Sequence, residues 1–389
     1  MRIGIVAPLI ESVPPKLYGG TERIVSYLTE ELVSCGHDVT LFASGDSITS
    51  GELDACVPRA LRLTPDSYRD AVLSHLLMLE RVYQRARDFD IIHFHIDGLH
   101  FSMMSRLGVP YVTTLHGRLD MPDVISLAAH FPKVPLVSIS NSQREPMPQA
   151  NWAATVYHGL PPDMFKFSPG PGEYLAFLGR IAPEKRPDRA IAIARATGVP
   201  LKIAAKVDKV DREYYETRIK PLLRGGGIEY IGEINESEKD EFLRKAIALL
   251  FPIDWPEPFG LVMIEAMACG TPVIAFRSGS VPEIIEDGIN GYTVETCSEA
   301  TAAVPKAAAL DRQRIRKSFE RRFTAPRMAR DYISLYRRLC QPVPKLRSLR
   351  NGKARTERLI APVSARSARP GGAGSGNTGH LHIVASKPE

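Results

Sequence analysis

The sequence predicts an α/β protein built from two doubly wound parallel sheets, and three observations carry that prediction. Short apolar runs alternate with amphipathic stretches from Arg2 to Asn141. A proline and glycine cluster, KFSPGPG, interrupts the pattern at 166–172. The same alternation then resumes from Glu173 to Phe276. Strands that alternate with helices pair in parallel, because a parallel neighbour is reached only through a crossover.

Taken in order, RIGIVAP (2–8) is a buried strand and DVTLFAS (38–44) the next. Between them GGTERIVSYLTEELVSCGH places Ile24, Val25, Leu28 and Leu32 at helical spacing, which completes a βαβ unit. An amphipathic helix from about Ser67 to Arg87 leads to the strands DIIHFH (90–95), YVTTLHG (111–117) and PLVSISN (135–141). After the cluster at 166–172, which has the composition of an interdomain linker, come the strands EYLAFLGR (173–180), PLKIAAKV (200–207), IEYIGEI (228–234), AIALLFPI (246–253) and TPVIAF (271–276). RMARDYISLYRRL, about 327–339, is a last helix. The expected division is a first Rossmann-like domain over 1–165, a second over 166–324, a terminal helix over 325–340 and a disordered basic tail over 341–389.

The chain has 389 residues, 44% hydrophobic and 24% charged, which suits two soluble domains with cores of their own. Its net charge of +6 is misleading. The tail holds nine Lys and Arg against two Glu, leaving 41 basic and 42 acidic residues elsewhere. A nucleic-acid footprint is therefore not expected of the folded part. Five scattered cysteines, none in C-x-x-C spacing, argue against a disulfide framework and a zinc site, and fit a reducing cytoplasm. No apolar run approaches the roughly 20 residues of a membrane span. A cytoplasmic protein is expected, with at most peripheral contact at the inner membrane face.

Chemistry concentrates in FPIDWPEPFGLVMIEAMACGTPVIAF, 251–276. Glu257 stands between Pro256 and Pro258, so it belongs to a loop. A helix is expected from Phe259 onward, with Gly270 as its stop. Glu265 then sits about 9 Å along the axis from Phe259, and the amides of Phe259, Gly260 and Leu261 face the helix mouth, an anion site. The alternative is that Glu257 caps the helix and Glu265 lies on a solvated face. Arg180 and Lys185, an R-x4-K pair, follow a strand at the edge where open α/β sheets bind ligands. There they would offset charge on a departing group, or stand as solvated charges beside Glu184 and Asp188. In the first half, the loop LIESVPPKLYGGTE exceeds the usual length of a βα connection. Gly19 and Gly20 let a ligand approach backbone at its end, and the dinucleotide fingerprint G-x-G-x-x-G is absent.

This E-x7-E pattern, with Phe-Gly after the first acid, resembles the donor site of retaining glycosyltransferases of family 4, which have the GT-B fold: two Rossmann-like domains facing across a cleft. The resemblance covers about 1–340. It implies that Glu257 holds donor-sugar hydroxyls, that Glu265 holds the ribose, and that Arg180, Lys185 and the amides of 259–261 bind the diphosphate. Gly19 and Gly20 would face the donor phosphate and the reacting sugar, and His116 in TTLHG would contact the sugar. It also implies a terminal helix that crosses back onto the first domain. His158 stands where many relatives carry Asn. The implied activity is transfer of a sugar from a UDP- or GDP-sugar to an unknown sugar, lipid or small-molecule acceptor, with no cofactor and no metal. The leaving phosphate would take the acceptor's proton. His93 and His95 share one strand face but lack a third ligand, and Asp88-Phe89-Asp90, formally D-x-D, reads as a turn. Two further readings stand beside it: a GT-B phosphorylase, and a noncatalytic nucleotide-sugar-binding protein.

Overall fold

The computed structural model of the chain describes residues 1–16, 19–64 and 70–341. Its first sheet contains β1 (Arg2–Val6), β2 (Asp38–Ser44), β3 (Glu52–Val57), β4 (Ile91–Phe94), β5 (Tyr111–Thr114), β6 (Leu136–Ser138) and β7 (Trp152–Thr155). Their spatial order is β3-β2-β1-β4-β5-β6-β7. The second sheet contains β8 (Tyr174–Arg180), β9 (Leu201–Lys206), β10 (Ile228–Gly232), β11 (Ala246–Phe251), β12 (Val273–Phe276) and β13 (Gly291–Val294), in the order β10-β9-β8-β11-β12-β13. Every strand pair is parallel; Ile3, for example, lies opposite Val39 on one side and Ile91 on the other. Each order reverses once, between β1 and β4 and between β8 and β11. Chain ends diverge at such a switch point and leave a crevice at the carboxyl edge.

The strands read as continuous apolar runs because both of their faces are covered. Ile3 and Ile5 are fully buried, and the helix Gly20–Ser34 lays Ile24, Val25, Leu28 and Leu32 into the same core. Burying each such side chain contributes roughly 1.5–3 kcal/mol. The helix Ala325–Leu339 brings Met328, Tyr332 and Tyr336 onto this first core after the chain has left the second sheet. Met1–Gln341 cluster as a single compact unit.

Several elements differ from expectation. The strands β3, β7 and β13 were not legible. Each ends a sheet, and β3 and β7 carry half-buried residues in place of a continuous apolar run. The first helix stops at Ser34, short of His37, because Gly36 takes a left-handed φ of 78°. The second runs Ala71–Arg85, and Asp70 caps it by accepting from the amides of Val72 and Leu73. The expected beginning at Ser67 lies outside the described residues, as does the tail from Pro342. The helix after Glu257 starts at Leu261 and not at Phe259, since Gly260 holds φ 79° as its N-cap. Asp88 ends a 3-10 turn, Ala86–Asp88, which the Phe89 amide closes onto Ala86 O at 3.4 Å, and Asp90 accepts from the Arg2 amide at 2.8 Å, so the D-x-D sits in a turn at the amino edge of the sheet.

Candidate active site

The carboxyl ends of β1, β5, β8 and β11 open onto one cavity of about 760 Å³. Gly19, Gly20 and His116 line it from the first sheet's side, and Arg180, Lys185, Glu257, Phe259, Gly260, Leu261 and Glu265 from the second's. All ten residues singled out in the sequence therefore share it.

The second wall is charged. Arg180, at the end of β8, holds Glu184 at 2.8 Å, with Asp211 at 3.3 Å and Asp208 at 3.4 Å. Asp188 belongs instead to Arg186, at 2.8 Å. The Lys185 ammonium donates to the Glu257 carboxylate and lies 4.9 Å from the Trp255 ring centre. The backbone of Glu257 is fixed on both sides: its amide donates to Trp255 O at 2.8 Å and its carbonyl accepts from Ser280 at 2.9 Å. A Cβ on Gly279 would come within 2.4 Å of that backbone, and its φ is 55°, so the clamp requires glycine. Glu257 does not cap the helix, because the N-cap is Gly260 and no side chain bonds there.

Glu265 is not on a solvated face either; it is 1% exposed. Its Oε1 meets Lys239 Nζ at 3.2 Å and Arg23 at 3.8 Å, while Oε2 is buried without a hydrogen-bond partner among the described residues. Between the two glutamates lies the mouth of the helix Leu261–Ala268. The Met263 amide turns back to Gly260 O at 3.0 Å. The amides of Leu261 and Val262, in the first turn, have no acceptor within the helix. Phe259 is buried and its ring packs 4.8 Å from that of His158.

From the first half, Glu11, Lys16, Glu22, Arg23 and Arg62 line the cavity beside a neutral stretch of glycines and histidines. A Cβ on Gly19 would fall 2.8 Å from Pro15 Cβ, so only glycine fits the turn. Gly20 opens its helix facing Leu261, with 3.9 Å from a notional Cβ to Leu261 Cδ1. His116 Nε2 and His95 Nδ1 share a hydrogen bond of 2.8 Å, and the His116 ring stacks on His158 at 5.3 Å. Burial pushes His116 down to about 3 and holds His95 and His158 well below the ordinary imidazole value, so all three are neutral at pH 7. His93 spends both nitrogens, on Tyr336 OH at 2.6 Å and Thr114 Oγ1 at 2.7 Å. Among the described residues no group of His, Cys, Asp and Glu could hold a metal ion, and all five cysteines are free. No described helix is long and apolar enough to cross a membrane.

Sequence reasoning missed Arg23, Lys239, Glu11 and the partnership of His95 with His116. Glu11 is 2% exposed and pairs with Arg62 at 2.8 Å; burial raises its carboxyl above the ordinary value. The H-x-H of 93–95 was a visible signal for His95, but single charges, Glu11 in a loop and Arg23 and Lys239 on helices, carried none.

Two parallel sheets with a crevice between facing carboxyl edges, and a charged wall opposite a glycine and histidine wall, define a GT-B glycosyltransferase architecture. A family model for glycosyl transferases group 1 matches residues 164–322, and one for glycosyltransferase family 4 matches 18–198. Between them the two models span residues 18–322, and the matches support a family 4-like glycosyltransferase of GT-B fold. It is 26% identical over 347 residues to the phosphatidyl-myo-inositol mannosyltransferase of Mycobacterium leprae, covering 82% of this chain and 90% of that protein. It is likewise 26% identical over 401 residues to the glycogen synthase of Mycobacterium tuberculosis, covering 86% and 95%. Among solved structures, Anabaena HepE in complex with UDP-glucose shares the fold, with a TM-score of 0.63, 18% identity and coverage of 86% and 98%.

Proposed function

We propose that this glycosyltransferase is a retaining, metal-independent enzyme that moves a sugar from a UDP- or GDP-sugar to an acceptor hydroxyl. The observation that carries the reading is the charged wall. Two cations, a helix mouth, Glu257 from the loop before that helix and Glu265 from within it line one cavity, and that spread suits a ligand with a diphosphate between two hydroxyl-rich ends. The UDP-glucose bound to HepE supports a donor of this class.

In this reading Glu265 takes the ribose, Glu257 takes hydroxyls of the donor sugar, and Arg180, Lys185 and the first-turn amides of the helix hold the diphosphate. As the bond from the anomeric carbon to the phosphate oxygen breaks, negative charge grows on that oxygen, and these fixed donors stabilise it. The acceptor oxygen forms its bond to the anomeric carbon on the same face and passes its proton to the departing phosphate. His116, neutral and held by His95, offers the sugar a hydrogen bond without adding charge. The two halves, 1–165 and 166–324 with the helix over 325–340 returning to the first, would close over the donor and exclude water. The reaction would proceed in the cytoplasm and needs no nucleic acid.

The test is release of nucleoside diphosphate from a panel of UDP-, GDP- and ADP-sugars, with and without EDTA and inorganic phosphate, beside Glu257→Ala. The reading expects turnover of one donor, unchanged by EDTA and lost in the variant. Turnover that requires inorganic phosphate would make the protein a phosphorylase. Binding of a donor without any release would make it a noncatalytic binding protein.

A further inference from the structure

Around Glu265 the two halves of the molecule build a cluster of four charges. Arg23, in the first turn of the helix Gly20–Ser34, sends one guanidinium nitrogen to Glu236 Oε2 at 2.8 Å and the other toward Glu265 Oε1 at 3.8 Å. Lys239 bridges the same two carboxylates, at 3.6 Å and 3.2 Å. Arg23 and Lys239 keep only 15% and 14% of their side-chain surface exposed, so this is not a solvated pair of the kind that contributes little. Two carboxylate oxygens in the cluster, Glu265 Oε2 and Glu236 Oε1, are buried and lack a hydrogen-bond partner among the described residues. Arg23, Glu236, Lys239 and Glu265 all line the cavity. A buried carboxylate oxygen left open is costly unless something donates to it, and a vicinal diol supplies such donors.

We infer that Arg23 is a positioning residue for ribose recognition, so that the nucleotide is read by both halves of the molecule together. The inference rests on the proposed role of Glu265. Arg23 acts in two ways. Its planar fork sets one nitrogen on Glu236 Oε2 and the other toward Glu265 Oε1, the two oxygens that Lys239 also contacts, and so fixes the angle between the carboxylates more rigidly than the flexible ammonium of Lys239 does by itself. Its charge balances the second carboxylate, since Lys239 alone would leave a net negative cluster beside an anionic diphosphate. Arg23 is also the cation of the first half that reaches Glu265 among the described residues, so a ribose bound there is read only where the helix Gly20–Ser34 faces the second sheet.

Calorimetric titration of the full chain with UDP, GDP and their 2′-deoxy counterparts tests this in the wild type, Arg23→Ala, Arg23→Lys and Glu265→Gln. The wild type is expected to prefer the ribonucleotide by about tenfold or more, the scale of a hydrogen bond to a charged group. Arg23→Ala should weaken ribonucleotide binding and reduce that preference to about twofold or less. Arg23→Lys should recover much of the affinity, through its charge, but not the preference. A wild type without preference, or an Arg23→Ala that keeps it in full, overturns the inference. If Glu265→Gln also keeps the preference, the ribose role of Glu265 is wrong and the inference falls with it. If Glu265→Gln alone loses it, only the role of Arg23 is refuted.

Discussion

The two walls of the cavity differ in kind. Opposite Arg180, Lys185, Glu257 and Glu265, the first sheet's side presents glycine backbone at Gly19 and Gly20 and the neutral imidazoles of His116, bonded to His95, and His158, with charge supplied from this half by Glu11, Lys16, Glu22, Arg23 and Arg62. The difference follows from what each wall must do. An anionic ligand is bought into the cleft by fixed charge, while a reacting sugar needs close approach and orientation without a further ion. In the proposed reading the second wall, with Arg23 reaching across to it, holds the nucleotide and Glu257 holds the sugar, while the glycines and histidines of the first wall orient the sugar for reaction.

Removing a charge that touches the sugar should separate the walls most sharply. Glu257→Ala is expected to lower donor turnover about 100-fold or more, with an unchanged melting curve, as its main chain stays clamped by Trp255 and Ser280. Turnover near the wild-type rate would move the sugar site elsewhere.

The histidine wall should announce itself through stability at low pH. His95, His116 and His158 have folded values below the unfolded value of about 6.5, with His116 at about 3, so the unfolded chain binds protons first as pH falls. Stability is thus retained at pH 7 and declines as pH drops from about 6.5 toward the folded values, by up to about 1.4 kcal/mol per histidine per pH unit. Urea midpoints at pH 7, 6 and 5 measure this; a flat profile would mean that these imidazoles are solvated.

A smaller effect is expected from His95→Asn, which removes the bond that orients His116. Turnover should fall about five- to tenfold while nucleoside diphosphate affinity holds. An equal loss of affinity would show that the walls do not act separately. Least of all should follow from Asp88→Asn with Asp90→Asn. These residues sit at the far edge of the sheet in exposed pairings, Asp88 with Arg85 and Asp90 with Arg2, and activity should stay within about twofold; a large loss would revive a metal role for that motif.

Much of the charged wall was legible because its signals are local. Pro256 and Pro258 force a loop at Glu257, and Gly270, at φ 79°, ends the helix that carries Glu265. The two-residue error at the helix start came from Gly260, whose left-handed backbone no periodicity reveals. The neutral wall was only half legible. His95 and His116 are 21 residues apart and meet because β4 and β5 pair in parallel, with His93 opposite Val112. Arg23 was invisible because its partners lie across the cleft, more than 200 residues further along the chain. The edge strands β3, β7 and β13 fell below notice since no second neighbour demands an apolar run there.

The central claim is that the charged wall binds a diphosphate. Titrating UDP, GDP and ADP, each beside its monophosphate, into the wild type and an Arg180→Ala, Lys185→Ala double variant tests it most directly. The account predicts that one diphosphate binds the wild type more tightly than its monophosphate, and that the double variant loses this advantage. Equal affinity for the two in the wild type, or an advantage that survives in the variant, would contradict it.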